Sequence, residues 1–109
     1  MVKLIIKNVK EVDESVRPLV EESIRSKTEF FENLFKKYDK PLTLEVIFKK
    51  SESVYTVSAS IDLKSKKVLL AEEGNDAVKV VSALFNEFKK AVKRQYELEK
   101  KEYEYKRKR

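Results

Sequence analysis

The chain of 109 residues contains no cysteine, no histidine and a single glycine, Gly74. Without cysteine there are no disulfides, no thiolate nucleophile and no cysteine-bound zinc. Without histidine the commonest general base and transition-metal ligand is missing too. One glycine cannot build a glycine-rich phosphate loop, and no carboxylate cluster has EF-hand spacing. Serine and threonine are present but have no imidazole to activate them. No apolar run approaches the roughly 18–20 residues that cross a bilayer, and residues 1 to 10 alternate in polarity, unlike the apolar centre of a signal peptide. These absences predict a cytoplasmic protein that is not an enzyme, needs no cofactor or metal, and engages neither a membrane nor a small-molecule substrate.

What the sequence has in abundance is charge. Lys and Arg number 25 against 19 Asp and Glu, beside 41% hydrophobic residues. That balance supports one packed core under a charged surface and argues against disorder. Residues 1 to 74 hold 14 basic against 13 acidic side chains, whereas residues 75 to 109 hold 11 against 6. Five of the six net positive charges therefore fall in the last third, which predicts a polyanionic partner met mainly by the C-terminal segment.

Periodicity gives the fold class. Val2, Leu4 and Ile6 alternate with Lys3, Ile5 and Lys7, a strand with one buried face. From Asp13 to about Lys37 the spacing lengthens: Val16, Leu19, Val20, Ile24, Phe31, Leu34, Phe35 and Tyr38 form the stripe of an amphipathic helix, capped by Asp13 or Ser15, with Pro18 near its first turn. Pro41 stops it. Two alternating runs follow: Leu42, Leu44, Val46, Phe48, then Tyr55, Val57, Ala59, Ile61, Leu63. They predict paired antiparallel strands joined by a loose turn, because residues 49 to 53 lack the Asn-Gly of tight hairpins. A fourth strand spans residues 66 to 72, with Val68 and Leu70 inward. Gly74 supplies the backbone freedom to leave it, and Asn75 or Asp76 caps a second helix striped by Ala77, Val78, Val81, Leu84, Phe85, Phe88, Ala91 and Val92. The predicted fold is α+β: a two-layer sandwich, β-α-β-β-β-α, with a four-stranded sheet and two helices on one face. Residues 1 to 96 form the domain. Residues 97 to 109 form a charged helical extension or tail, with the pairs Glu97 and Lys101, Glu102 and Lys106, and Glu104 and Lys108 at helical spacing.

Lys89, Lys90, Lys93 and Arg94 make two i, i+4 pairs away from the second helix's apolar stripe, so they are expected to be exposed together. Such an array suits phosphate, although a solvated lysine-rich helix face is its bland equivalent. Lys49 and Lys50 at one turn, with Lys64, Lys66 and Lys67 at the next, read as a second basic cluster. Tyr96, Tyr103 and Tyr105 can stack on bases or cover the core. Asp13, Glu14, Glu21, Glu22, Glu29 and Glu32 fall on the outer arc of the first helix beside Arg17, Arg25 and Lys27, a charge-laced solvent face.

The run Val9-Lys10-Glu11-Val12-Asp13-Glu14-Ser15-Val16-Arg17, followed by Val20 and Phe30-Phe31-Glu32, resembles the first helix of the ribosome hibernation promoting factor family. These proteins are also called ribosome-associated inhibitors or sigma-54 modulation proteins. Ala71-Glu72-Glu73-Gly74-Asn75-Asp76, then Leu84-Phe85 and a basic helix, is similar to that family's entry into its second helix. The resemblance implies a stress-response protein that binds 16S rRNA of the small ribosomal subunit between head and body, blocking the paths of tRNA and mRNA. By position it implies RNA contacts at Lys90 and Arg94, with Lys89 and Lys93 as neighbours, and at Arg17. Arg25, Lys27 and Lys79 join these as candidates, with secondary contacts at Lys49, Lys50, Lys100 and Lys101. Ser23 and Ser26 stand where the family often carries lysine, and Ala77-Val78-Lys79-Val80-Val81 replaces an aromatic-containing run. As a short form without the second domain of longer members, the chain is expected to be a monomer off the ribosome and not to pair two small subunits. Two other readings stay open. One is a protein-interaction module using the C-terminal helix or a sheet edge; the other is a double-stranded RNA-binding domain.

Overall fold

The computed structural model describes residues 1–107, and side chains as far as residue 101. The pairs Glu102 with Lys106 and Glu104 with Lys108, and the rings of Tyr103 and Tyr105, lie outside the described residues.

Alternation in sequence becomes a single buried sheet face. Leu42, Leu44, Val46 and Phe48 of β2 (Leu42–Ser51) and Tyr55, Val57, Ala59 and Ile61 of β3 (Val54–Asp62) are all buried. The two strands pair antiparallel, with Val46 opposite Ala59 and Phe48 opposite Val57. β1 (Val2–Lys7) runs parallel to β2, which demands a crossover, and α1 (Arg17–Leu34) provides it. β4 (Lys67–Gly74) pairs antiparallel with β3, and α2 (Ala77–Arg107) returns across the sheet. The sheet order β1-β2-β3-β4 leaves β1 and β4 as edges. The result is the expected β-α-β-β-β-α fold of the α+β class, and the helices share one hydrophobic core with the inward sheet face.

Several local expectations are corrected. A single 3-10 turn at Val9–Glu11 precedes the first helix, entered through Asn8 in the left-handed region at φ 61°. Asp13 does not cap α1. Its carbonyl accepts from the Val16 and Arg17 amides, and its carboxylate accepts from the Ser15 amide, closing a separate turn. The helix starts at Arg17 without a side-chain cap, and it ends at Leu34, not Lys37. Leu19 is 57% exposed, because the stripe through Val20, Ile24 and Phe31 sets the buried direction and a neighbouring residue points about 100° away. The β2–β3 turn is tight: Ser51 pairs with Val54, and Glu52 takes φ 58°. Gly74 has no left-handed backbone. Its requirement is proximity, since a Cβ there would meet Val80 Cγ2 at 2.9 Å. Asp76, not Asn75, caps α2, accepting from the Val78 and Lys79 amides at 3.1 and 3.3 Å.

The docking of α2 also continues past Val92, its last fully buried residue described here. Tyr96 packs on Phe35 and Tyr38, at centroid distances of 4.8 and 5.4 Å. One turn on, the Glu99 carboxylate accepts from the Tyr38 hydroxyl at 2.7 Å, from the Ser65 amide at 3.0 Å and from the Ser65 hydroxyl. The Tyr38 oxygen in turn accepts from the Lys64 amide at 2.8 Å. Burial pushes the Tyr38 hydroxyl up to about 12, against the Lys64 amide and with help from the adjacent Glu99 charge. Burial opposes the charge on Glu99, but donors from Ser65 and Tyr38 and the nearby Lys64 ammonium outweigh it, holding its carboxyl below the ordinary range. This clasp ties the distal half of α2 to two loops.

Tyr38→Phe is expected to lower stability by about 1–2 kcal/mol, read from the urea midpoint at neutral pH. Because the folded-state pKa of Glu99 is depressed, its contribution is present above the ordinary carboxylate range and lost as pH falls through the lowered value. Glu99→Gln should therefore flatten the acid limb of the stability profile. Glu52→Gly is expected to raise stability by about 0.5–1 kcal/mol, relief of a left-handed backbone outweighing glycine's added chain entropy. A lower melting temperature in that variant would contradict the assignment.

Candidate nucleic-acid interface

The orientation of α2 is decided by what it buries. Val81, Leu84, Phe85, Phe88 and Val92 are all buried, and Phe31 of α1 contacts the rings of Phe85 and Phe88 at 6.4 and 5.6 Å. The opposite side must then face water. Lys79, Ala83, Asn86, Lys90, Lys93, Arg94, Glu97, Lys100 and Lys101 are exposed, spaced three, four or one residue apart. At 1.5 Å per residue, Lys79 to Lys101 spans about 33 Å of helix, a ladder of cations broken by few carboxylates. Lys90 pairs with Glu87 at 3.7 Å, both well exposed, a contact too weak to neutralise it. Among the described residues Lys79, Lys93, Arg94, Lys100 and Lys101 make no ion pair.

Lys89 stands apart from its three neighbours because it is half-buried, with its ammonium 5.0 Å from the ring centre of Phe30 on α1. A shallow groove between the helices is lined by Phe30, Asn86, Lys89, Lys90 and Lys93 together with Glu87. Ser23, Lys27, Phe30 and Leu34 are half-buried along the same flank of α1, and the Lys27 ammonium donates to the Ser23 hydroxyl at 3.3 Å. Lys27 thus lies one turn from the ring that supports Lys89.

The other candidates are placed elsewhere. Arg25 is on the far flank of α1, in a hollow with Leu4, Ile6, Val9 and Glu21, and pairs with Glu21 at 3.6 Å. Arg17 turns back on its own chain: one terminal nitrogen donates to the carbonyls of Lys10 at 3.2 Å and Val12 at 3.0 Å. Its Nε is buried without a partner. Arg17 therefore buckles the 3-10 turn to the start of α1. Lys49 and Lys50 do not cluster with Lys64, Lys66 and Lys67, because β3 separates the two turns by about 26 Å. The Lys50 ammonium lies over Tyr55, 5.2 Å from its centroid. Tyr96 is committed to Phe35 and Tyr38, and Lys100 covers its ring at 4.3 Å, so it covers the core and is not free to stack on bases.

Sequence reasoning missed Phe30 as the platform for Lys89. Its place three residues after Lys27 and four before Leu34 was the available signal. It also missed that Lys66 and Lys67 join Arg94 along a groove between β4 and α2. Among the described residues no group of acidic side chains could hold a metal ion, and no helix is long and apolar enough to cross a membrane.

Solved structures agree on the architecture. The N-terminal domain of Thermus thermophilus Protein Y superposes with a TM-score of 0.57 at 20% identity, covering 85% of this chain and 96% of that one. A ribosomal subunit interface protein from Coxiella burnetii gives a TM-score of 0.50 at 17% identity, covering 87% and 97%. This chain shares their fold. No family model and no curated protein sequence matches it.

Arg17→Lys keeps the charge but loses the forked donor, and is expected to cost about 1–2 kcal/mol in thermal or urea unfolding. Its affinity for RNA should stay at the parent's value. A selective loss of RNA binding at unchanged stability would return Arg17 to the interface.

Proposed function

We propose that the chain binds the small ribosomal subunit through the outward cations of α2 and acts as a ribosome hibernation factor. The observation that carries this reading is the ladder from Lys79 to Lys101, held on a docked helix, where among the described residues only Lys90 makes an ion pair. A regular row of cations on a rigid element meets a sugar-phosphate backbone without first paying for order, and gains affinity by releasing condensed counterions. Support comes from the shared fold with a protein named for the ribosomal subunit interface, and from the family resemblance of the sequence. In this reading Lys90, Lys93 and Arg94 contact 16S rRNA directly, Lys79, Lys100 and Lys101 extend the contact, and Lys89 lines the inter-helix groove, with Lys27 one turn away on the same flank of α1. Seated between head and body, the protein would occupy the paths of tRNA and mRNA. Binding is expected in the cytoplasm, where ribosomes are.

A duplex-RNA module of α-β-β-β-α order has no use for a leading strand, whereas β1 here pairs along its whole length with β2. That observation favours the ribosomal reading over the duplex one.

Co-sedimentation with purified small subunits tests the proposal. Binding is expected at about 50 mM salt and should fall steeply towards about 200 mM. Replacing Lys89, Lys90, Lys93 and Arg94 together by Glu should abolish it. Neutralising the four to Gln should lower the slope of log K against log salt by about three. Undiminished binding by the Glu variant would refute the proposal.

A further inference from the structure

β4 is an edge strand of eight residues, and its outer side has no partner among the described residues. Such an edge offers unpaired amides and carbonyls to any strand that can approach it, and natural proteins usually guard it with charge. Here the charges are sorted. Lys66 and Lys67 stand at one end, Glu72 and Glu73 at the other, with Val68, Leu69, Leu70 and Ala71 between them. All four charged residues are exposed, and none makes an ion pair among the described residues. Leu69 is 60% exposed.

We infer that β4 pairs antiparallel with β4 of a second copy of this chain, forming a two-fold dimer. A two-fold axis perpendicular to the sheet keeps both pairs of helices on one side, so residues facing each other must be of like parity in number. Centring the axis on Leu70 satisfies this. Lys67 then faces Glu73 of the second copy, Leu69 faces Ala71, and Leu70 faces itself, and symmetry repeats the ion pair. Opposite charges directly across strands are favourable, and a parallel approach would set Lys against Lys. The other edge cannot do the same: antiparallel self-pairing of β1 about Ile5 places Lys3 opposite Lys7, like against like. Only one edge is self-complementary, so association closes at two copies and does not run on into a fibre. This departs from the monomer expected from sequence, and it brings Lys90 and Arg94, which line the grooves between β4 and α2, towards the second copy.

Sedimentation velocity on the full chain, from low concentration to about 1 mM, tests the inference. The parent is expected to shift from monomer to dimer. One variant carries Lys66→Glu with Lys67→Glu, and a second carries Glu72→Lys with Glu73→Lys. Each alone should stay monomeric, since all facing charges are then alike, and an equimolar mixture should regain the dimer. Leu69→Lys provides a single-site check on the exposed sheet face, should a double variant fail to fold, and is also expected to be monomeric. A parent that stays monomeric to about 1 mM, or folded variants that dimerise as the parent does, would overturn the inference, as would a mixture of folded variants that stays monomeric.

Discussion

The contact of Phe31 with Phe85 and Phe88 fixes how α2 is rotated, and the outer surface follows from that rotation. Phe85 and Phe88 are fully buried together with Val81, Leu84 and Val92. Aromatic rings packed edge-on resist a change of azimuth more than a purely aliphatic seam, because their preferred geometries are directional. Once that face is committed to the sheet, Lys79, Lys90, Lys93 and Arg94 have nowhere to go but outward. The electrostatic character of the molecule is thus a consequence of core packing.

The clasp extends that constraint along the helix. A helix projecting from the domain would fray and scatter its cations, at a conformational cost to be met on binding. Glu99, held by Tyr38 and Ser65, instead keeps the helix registered on the α1–β2 and β3–β4 loops for a further two turns. The Lys64 side chain completes the arrangement, pairing with Asp39 and lying 5.3 Å from the Tyr38 ring centre. The hydrogen bond from Lys64 and the ammonium's charge hold the Asp39 carboxyl below its ordinary range. Pre-ordering of this kind favours binding by reducing what must be immobilised later.

The layered fold was legible because its signals are periodic. β2 and β3 alternate apart from Ile47, apolar on the outer face, and Ser60, buried there, and the α2 stripe keeps its spacing from Ala77 to Val92, so both strands and helix read directly from residue order. What escaped was set by geometry between distant residues. Nothing local to Arg17 says that its guanidinium will hold the carbonyls of Lys10 and Val12. Likewise, Glu52 gives no hint of a left-handed turn, a conformation the tight pairing of Ser51 with Val54 imposes on it. The candidate site was half legible. Lys90, Lys93 and Arg94 follow from helical spacing alone, whereas placing Lys89 over Phe30 and separating Lys27 from Arg25 required knowing which flank of α1 meets α2.

Whether the α2 ladder is the surface that meets RNA is the central claim, and proximity tests it most directly. A photo-reactive side chain can replace Ala83 or Asn86, exposed positions within the ladder, or Thr43, exposed on the opposite face of the sheet. Irradiated with small ribosomal subunits, the Ala83 and Asn86 derivatives should form adducts with rRNA, and the Thr43 derivative should form none. Adducts from Thr43 with none from Ala83 and Asn86 would contradict the account.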